Sequence, residues 1–131
     1  MKLIIAGSRD ITDYEILLKA LQYAKIMTTK VDAVVSGRAK GVDSLGEIWA
    51  RQNSILVIPF KANWSDLTTP PVYIKKGRNG PYNALAGFNR NQRMADYADA
   101  LLAIIKDDSP GTRDMIERMQ KAQKDVTVYE V

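Results

Sequence analysis

The sequence predicts an α/β domain of three layers, in which a five-stranded, mostly parallel sheet lies between helices. Two patterns predict this fold class. Apolar runs alternate along the chain with segments whose apolar residues recur at helical spacing. Glycine or small polar residues follow several of the apolar runs, as is typical where a parallel strand turns into a helix. The chain has 131 residues, so residues 1–131 are predicted to form one domain with one core.

The chain begins with a predicted strand and a predicted amphipathic helix. Residues 2–6 form a short apolar run, which is typical of a strand buried on both faces. Residues 12–28 repeat apolar side chains at helical spacing, and Thr12 with Glu15 matches a capping box at a helix start. Because the apolar run begins at residue 2, we expect no secretory signal before it.

A second strand, a helix and a third strand follow. Residues 32–36 are apolar and predict a strand, and residues 41–53 place their apolar side chains on one helical face. Residues 55–58 predict the third strand, which Pro59 ends because proline cannot donate to a sheet. This alternation favours a parallel sheet.

Residues 60–86 interrupt the alternation. Proline and glycine dipeptides, which mark turns, occur at 68–71 and 76–81. A loop of this length in a compact domain is usually functional or disordered. We predict either a lid or an oligomer arm here, with a small strand at 72–74 as a further option.

The alternation resumes in the last third of the chain. Residues 88–98 predict a helix, residues 99–105 a buried strand and residues 125–130 the fifth strand. Between them, residues 111–124 predict a helix in which Met115 occupies a core position by its spacing.

The composition excludes several kinds of chemistry. The chain has neither cysteine nor histidine, which removes disulfides, thiol nucleophiles, thiolate metal sites, serine–histidine triads and histidine zinc sites. Any reaction must use carboxylates, arginine, lysine, tyrosine, hydroxyls or backbone amides. No metal and no cofactor are expected.

The positive charge is concentrated in one segment. The whole chain carries a net charge of +4. Residues 61–93 alone hold six cations against the single acid Asp66, a local charge of +5. Such a segment indicates an anionic partner, although a solvated loop with lysines for solubility explains it equally well.

The first candidate loop follows the first strand. Gly7 allows a sharp turn and a close approach of the backbone to a ligand. The Ser8 hydroxyl and nearby amides suit phosphate or ribose oxygens, and Arg9 suits a phosphate through two parallel hydrogen bonds. A plain strand-to-helix turn is the alternative, because the three glycines of a dinucleotide fingerprint are absent.

The second candidate loop lies between the second strand and the next helix. It combines a hydroxyl, cations and two glycines at a helix amino-terminus, where amides and the helix dipole favour an anion. The spacing of a P-loop is absent, so ATP hydrolysis of that kind is not expected. Asp43 either caps the helix or accepts a hydrogen bond from a sugar hydroxyl. The predicted ligand residues here are Ser36, Gly37, Arg38, Gly41 and Asp43.

Two later segments complete the predicted crevice. Arg90 and Asn91 lie at the start of the helix predicted over 88–98. Gly111 and Thr112 offer amides and a hydroxyl at the start of the last helix. The amino-termini of the 41–53 helix and of the last helix, facing one crevice, suit a ligand with more than one phosphate, or with a phosphate and a ribose. Two ordinary helix caps are the alternative.

Taken together, these segments resemble the SLOG superfamily, and most closely its YspA, cpYpsA-related branch. A more distant resemblance is to the lonely-guy phosphoribohydrolases and to the Smf/DprA DNA-processing family. The segments that carry the resemblance are Gly7-Ser8-Arg9, Ser36 to Asp43, Ala86 to Met94, Ala98 to Ala103 and Ser109 to Thr112.

The resemblance implies a Rossmann-like domain that binds a nucleotide at the carboxyl ends of its strands. The ligand class would be a nucleoside monophosphate or a molecule like ADP-ribose, and a sensor role is one option. The superfamily also implies an alternative, a phosphoribohydrolase that cleaves the base–ribose bond. In that case Arg90 and Asp114 would be catalytic, but the glutamate of those hydrolases corresponds here to Met115. Binding is therefore favoured over cleavage.

The remaining expectations concern partners and location. The principal partner is expected to be a small nucleotide-like ligand. A homo-oligomer, dimeric or larger, is also expected, with Trp49, Trp64 and Tyr73 as possible apolar contact residues. A DNA-associated module is the second alternative, disfavoured because aromatic residues do not interleave with the cations. A cytoplasmic protein without membrane contact is expected.

Overall fold

A computed structural model describes residues 1–131. Seven strands and four α-helices follow one another along the chain. In chain order they are β1 (Lys2–Gly7), α1 (Tyr14–Tyr23), β2 (Ala33–Ser36), α2 (Val42–Gln52), β3 (Leu56–Pro59), β4 (Ile74–Gly77), β5 (Gly80–Asn83), α3 (Ala86–Tyr97), β6 (Ala100–Ile105), α4 (Pro110–Lys121) and β7 (Asp125–Glu130).

Five strands form one sheet in the order β3-β2-β1-β6-β7, and every neighbouring pair is parallel. The predicted α/β class and the five-stranded sheet between helices are confirmed. Because β1 is central, both β2 and β6 pair with it: Ile4 lies opposite Val35 on one side and Leu101 on the other. All five strands therefore present their carboxyl ends at one edge.

The sheet separates two apolar cores. Leu3 and Ile5 of β1 point into the core beneath α1 and α2, which also contains the buried Trp49. Ile4 points the other way, into a core with Met94 of α3 and Met115 of α4. Complete burial of such side chains stabilises the fold by about 1.5–3 kcal/mol each. Trp49 is thus a core residue and is not available as an oligomer contact.

The first helix is shorter than predicted and begins with a different cap. Its N-cap is Asp13, whose carboxylate accepts a hydrogen bond from the Glu15 amide at 3.0 Å, so the predicted Thr12 cap is wrong. The helix ends at Tyr23, and Lys25 has a left-handed φ of 55°, which breaks the predicted run to residue 28. Residues 28–30 form a separate 3-10 turn.

The segment predicted as a long loop contains an antiparallel hairpin of β4 and β5. Gly77 pairs with Gly80 around a two-residue turn, where Gly80 has a φ of 107° that favours glycine. The Asn83 amide donates to Trp64 O at 2.7 Å, and the Ala84 amide donates to Tyr73 O at 2.8 Å. We call residues 61–85 the hairpin lobe. No helix of the structure has the length and apolarity needed to cross a bilayer.

Candidate functional site

A cavity of about 560 Å³ lies at the carboxyl edge of the sheet, and we call it the cleft. The turns after β1 and β2, the first turns of α3 and the start of α4 form its walls. The structure therefore brings together residues from four distant segments. The predicted ligand residues that line the cleft are Gly7, Ser8, Arg9, Gly37, Asp43, Arg90, Asn91, Gly111 and Thr112.

Gly7 and Gly41 allow the backbone segments around the cleft to approach closely. A Cβ atom at Gly7 would lie 2.0 Å from the carbonyl oxygen of Ile104. At Gly41, which has a φ of 77°, it would lie 2.4 Å from the carbonyl oxygen of Ser8. No side chain fits at either distance. Gly41 itself does not line the cleft, so its role in the structure is to let α2 begin against the turn after β1.

Ser8 joins the turns that follow β1 and β6. Its hydroxyl accepts a hydrogen bond from the Lys106 amide at 2.9 Å and donates to the Lys106 carbonyl at 3.2 Å. Its own amide donates to Ile104 O at 3.1 Å. The side chain is buried, and its one donor is already used. Ser8 thus fixes the shape of the cleft floor.

Arg90 reaches from α3 across the cleft to the turn after β2. Its Nη1 donates to the carbonyl oxygen of Gly37, and its Nε donates to Asn91 Oδ1 at 3.0 Å. Its Nη2 has no hydrogen-bond partner in the protein. Burial is the main cause that lowers the pKa of Arg90, whereas the nearby Asp43 carboxylate opposes that shift. A partly desolvated guanidinium with a free donor suits an oxyanion.

Asp43, in the first turn of α2, is a buried carboxylate at the back of the cleft. Its Oδ2 accepts a hydrogen bond from the Ala39 amide at 3.3 Å, and no cation lies within 4.0 Å. Burial raises the pKa of Asp43 to about 6, despite the opposing effects of the Ala39 amide and Arg90. Asp43 therefore changes charge only a little below neutral pH.

Ser36 and Arg38 belong to a different arrangement, centred on Glu47 of α2. The Ser36 hydroxyl donates to Glu47 Oε2 at 2.6 Å. Arg38 Nη1 and Arg51 Nη2 donate to Glu47 Oε1 at 2.8 Å and 3.0 Å. Glu47 is buried, and these bonds compensate its charge. Neither Ser36 nor Arg38 lines the cleft. The sequence reasoning missed Glu47, which sits at an inward position of an otherwise amphipathic helix.

The amino-terminus of α4 opens onto the cleft. Its N-cap residue, Ser109, makes no capping hydrogen bond but donates to Thr112 Oγ1 at 2.8 Å. Pro110 has no amide hydrogen, and the first amide bonded within the helix is that of Arg113. The amides of Gly111 and Thr112 are thus left without helical acceptors, as in any helix start. A Cβ atom at Gly111 would meet nothing within 4 Å.

The carboxylate proposed for hydrolysis lies outside the cleft. Asp114 Oδ2 accepts from Arg118 Nε at 2.8 Å and from Asn91 Nδ2 at 2.9 Å. Asp114 is not among the cleft residues, whereas Met115, 2% exposed, is. The wall at this point is therefore a thioether, which neither activates water nor stabilises an oxocarbenium ion.

Several further cleft residues were not singled out from the sequence. Asp10, Lys106, Asp107 and Asp108 all contribute to its rim. Three of them follow β6 directly, so extending the strand-end rule by a few residues would have found them. The carboxylates do not form a cluster that could hold a metal ion.

Comparison with models of protein families identifies the family of the chain. A model described as the YspA, cpYpsA-related SLOG family matches residues 1–66, half of the sequence. The chain belongs to this family. The match covers the turns after β1 and β2, which contain two of the segments behind the predicted resemblance. The Arg90 and Thr112 segments lie beyond it. A search of curated proteins gave no match.

Two solved structures share the fold. DNA processing protein A (DprA) from Streptococcus pneumoniae superposes with a TM-score of 0.68 at 20% identity, over 97% of this chain and 49% of that one. The Helicobacter pylori protein of the same name, whose structure describes a single-stranded DNA binding mode, gives 0.64 at 21% identity, over 98% and 64%. This chain thus spans about half to two thirds of their lengths. At such identity the likeness shows the fold alone.

Proposed function

We propose that the chain binds a small nucleotide-like ligand, such as a nucleoside monophosphate or ADP-ribose, in the cleft. The observation that carries this proposal is the pairing of the half-buried Arg90 guanidinium and the uncapped start of α4 around one cavity. Its volume of about 560 Å³ lies within the roughly 300–1,000 Å³ of small-molecule sites.

The donors of the cleft and its buried carboxylate suit the two polar parts of a nucleotide. Arg90, Arg9 and the amides of Gly111 and Thr112 are donors for phosphate oxygens. The Asp43 carboxylate is an acceptor for ribose hydroxyls. The backbone of α4 holds the amides, and the Gly37 carbonyl holds Arg90. Ligand binding therefore costs little conformational entropy at these groups.

Binding without cleavage fits the cleft better than hydrolysis does. N-glycosidic cleavage needs a carboxylate next to the ribose. In this chain Met115 stands at the position that carries the carboxylate in the hydrolases. The Asp114 carboxylate accepts hydrogen bonds from Arg118 and Asn91. We therefore expect no release of free base from common nucleoside monophosphates. Base release that Asp114→Asn abolishes would support the hydrolase instead.

The test is a calorimetric titration of AMP, ADP and ADP-ribose. Arg90→Gln should weaken the tightest of them about tenfold or more, because a charge-assisted bond to phosphate contributes about 1.5–3 kcal/mol. Arg78→Gln is the matched control, since it removes the same charge from the exposed turn between β4 and β5, away from the cleft. No binding of any of the three, or equal affinities for both variants, would contradict the proposal.

A second candidate function, binding of single-stranded DNA, is favoured by the surface of the hairpin lobe. Lys75, Lys76 and Arg78 are exposed there, and Lys75 Nζ lies 5.4 Å from the centre of the exposed Tyr73 ring. An aromatic ring thus lies beside these cations, a combination typical of single-strand binding. The Helicobacter pylori DprA, which shares the fold, binds single-stranded DNA according to its structure's description.

Fluorescence anisotropy with a labelled single-stranded oligonucleotide tests this second candidate. Affinity should fall steeply with salt, because phosphate neutralisation releases counterions. The triple change of Lys75, Lys76 and Arg78 to glutamine should then weaken binding, while Arg90→Gln should leave it within about twofold. A salt-independent signal, or none, would reject the candidate.

A further inference from the structure

A second cavity, of about 290 Å³, lies between the hairpin lobe and α3. Asn83 and Asp66 of the lobe, Asn89 and Arg93 of α3, and Arg118 of α4 line it. We call it the Asn83 cavity. It shares no lining residue with the cleft, and the two cavities use different faces of α3.

Asn83 presents an unpartnered donor to this cavity. The residue is only 2% exposed. Its Oδ1 accepts from the Tyr73 amide at 3.1 Å and from the Leu85 amide at 3.0 Å, which fixes the orientation of the side-chain amide. Its Nδ2 has no acceptor in the protein. Since no enclosed side-chain polar atom lacks a partner, the small exposed part of Asn83 includes Nδ2, at the cavity wall.

Two arginines add guanidinium donors to the same walls. Arg93 has no carboxylate within 4.0 Å, and its one hydrogen bond is from Nη2 to Lys61 O at 3.1 Å. Arg118 uses Nε on Asp114 and Nη1 on Gln92 Oε1, at 2.8 Å and 2.9 Å, so its Nη2 is free. Donors are thus available from one amide and two guanidinium groups.

The one carboxylate on the walls is already engaged. Asp66 Oδ1 accepts from the Thr68 and Thr69 amides, each at 3.1 Å, and from the Thr68 hydroxyl at 3.2 Å. These bonds hold the lobe turn in place and partly compensate the charge of Asp66. The walls of the cavity therefore offer more free donors than free acceptors, which favours a ligand with acceptor oxygens over a cation.

We propose that the Asn83 cavity is a second binding site, separate from the cleft, for an oxyanion group, either a phosphate or a carboxylate, of a small molecule. Asn83 Nδ2 and Arg93 would hold the oxygens of that group, and Arg118, whose charge is paired with Asp114, would add its Nη2 donor. Charge-assisted bonds from guanidinium groups are the strong hydrogen bonds of such sites. The proposal for the Asn83 cavity does not depend on which ligand the cleft binds or on how tightly the cleft binds it.

The test follows the Asn83 side-chain amide signal by NMR while inorganic phosphate or acetate is titrated at constant ionic strength. The protein carries Arg90→Gln throughout, so that binding in the cleft is weakened, and the Asn83 side-chain signal reports on the Asn83 cavity itself. The signal should shift saturably with at least one of the two anions. Saturation with phosphate alone would indicate a phosphate ligand, and saturation with acetate alone would indicate a carboxylate ligand.

Arg93→Gln should weaken this binding about tenfold or more, and Arg78→Gln, the same charge change on the exposed hairpin turn, should leave it within about twofold. Asn83→Asp keeps the Oδ1 acceptor but replaces the donor by a charged oxygen. Because this variant lacks the side-chain amide signal, its titration is followed at the Leu85 backbone amide, which contacts Oδ1, and saturation should be abolished. The proposal is overturned if neither anion saturates, or if Arg93→Gln and Arg78→Gln weaken binding equally. Failure here would leave the cleft proposal standing, because the Arg90 titrations measure that site separately.

Discussion

The cleft and the Asn83 cavity lie against different faces of α3, and different kinds of structural element form their walls. The walls of the cleft are strand ends and helix starts that the parallel sheet brings to one edge. The Asn83 cavity is walled by turns of the hairpin lobe, which side-chain and backbone hydrogen bonds hold against α3. One site thus follows from the topology of the fold, and the other depends on a few individual polar contacts.

The glycines of the two regions should differ most in their effect on stability. Gly7→Ala places a Cβ atom 2.0 Å from a carbonyl oxygen of β6, so strands must separate. We expect a loss of about 3 kcal/mol or more in the free energy of unfolding. Gly77→Ala in the hairpin meets the half-buried ring of Tyr82 at 3.1 Å, and the ring can move. Its cost should stay under about 1 kcal/mol.

Urea unfolding followed by circular dichroism measures both variants. If Gly7→Ala lowers the free energy of unfolding no more than Gly77→Ala does, the turn after β1 is not packed tightly against the sheet. The cleft would then lack the rigidity that its proposed function requires.

Two carboxylates should respond to replacement in opposite directions. The pKa of Asp43 is raised to about 6 by burial, so the folded protein binds the extra proton and its stability falls as pH rises from about 4 to about 6. Asp43→Asn removes that loss and should stabilise the fold at pH 7 by at most about 3 kcal/mol.

Asp66, in the hairpin lobe, provides the opposite case. Hydrogen bonds from the Thr69 and Thr68 amides lower its pKa to about 2. Its contribution to stability is therefore present at neutral pH and is lost as pH falls from about 4 to about 2. Asp66→Asn should destabilise the protein at pH 7. Urea unfolding between pH 4 and 8 compares the two, and an Asp43→Asn gain that does not grow from pH 4 to 6 would contradict the assignment.

The sequence predicts the cleft much better than it predicts the lobe. Apolar runs and helical spacing place β1, β2, β6 and α4, and a parallel sheet then forces their ends together. Gly7 and Asp43 follow from that rule, whereas Arg90, on a helix that follows no strand of the parallel sheet, was expected from the family resemblance. The rule fails for Arg38, because it names a loop but not the direction of its side chains. Here the buried Glu47, inside α2, draws Arg38 out of the cleft.

The lobe lacks a comparable signal. All four residues of β4 are exposed, so no alternation of apolar and polar residues marks the strand. Asn83 is typical of a loop by its type, yet it is buried because the Tyr73 and Leu85 amides need its Oδ1. Such a role depends on contacts between segments ten residues apart, which the periodicity of the sequence does not reveal.

The most direct test of the central claim is a two-dimensional NMR titration of the backbone amides with ADP-ribose. If the cleft binds the ligand, saturable shifts should be concentrated in residues 7–10, in residues 109–112 and around Arg90, while the amides of the β4–β5 hairpin stay unchanged. Arg90→Gln should reduce the affinity derived from those shifts about tenfold or more. Shifts confined to the hairpin lobe, or no saturable shift in the cleft with ADP-ribose, AMP or ADP, would contradict the account.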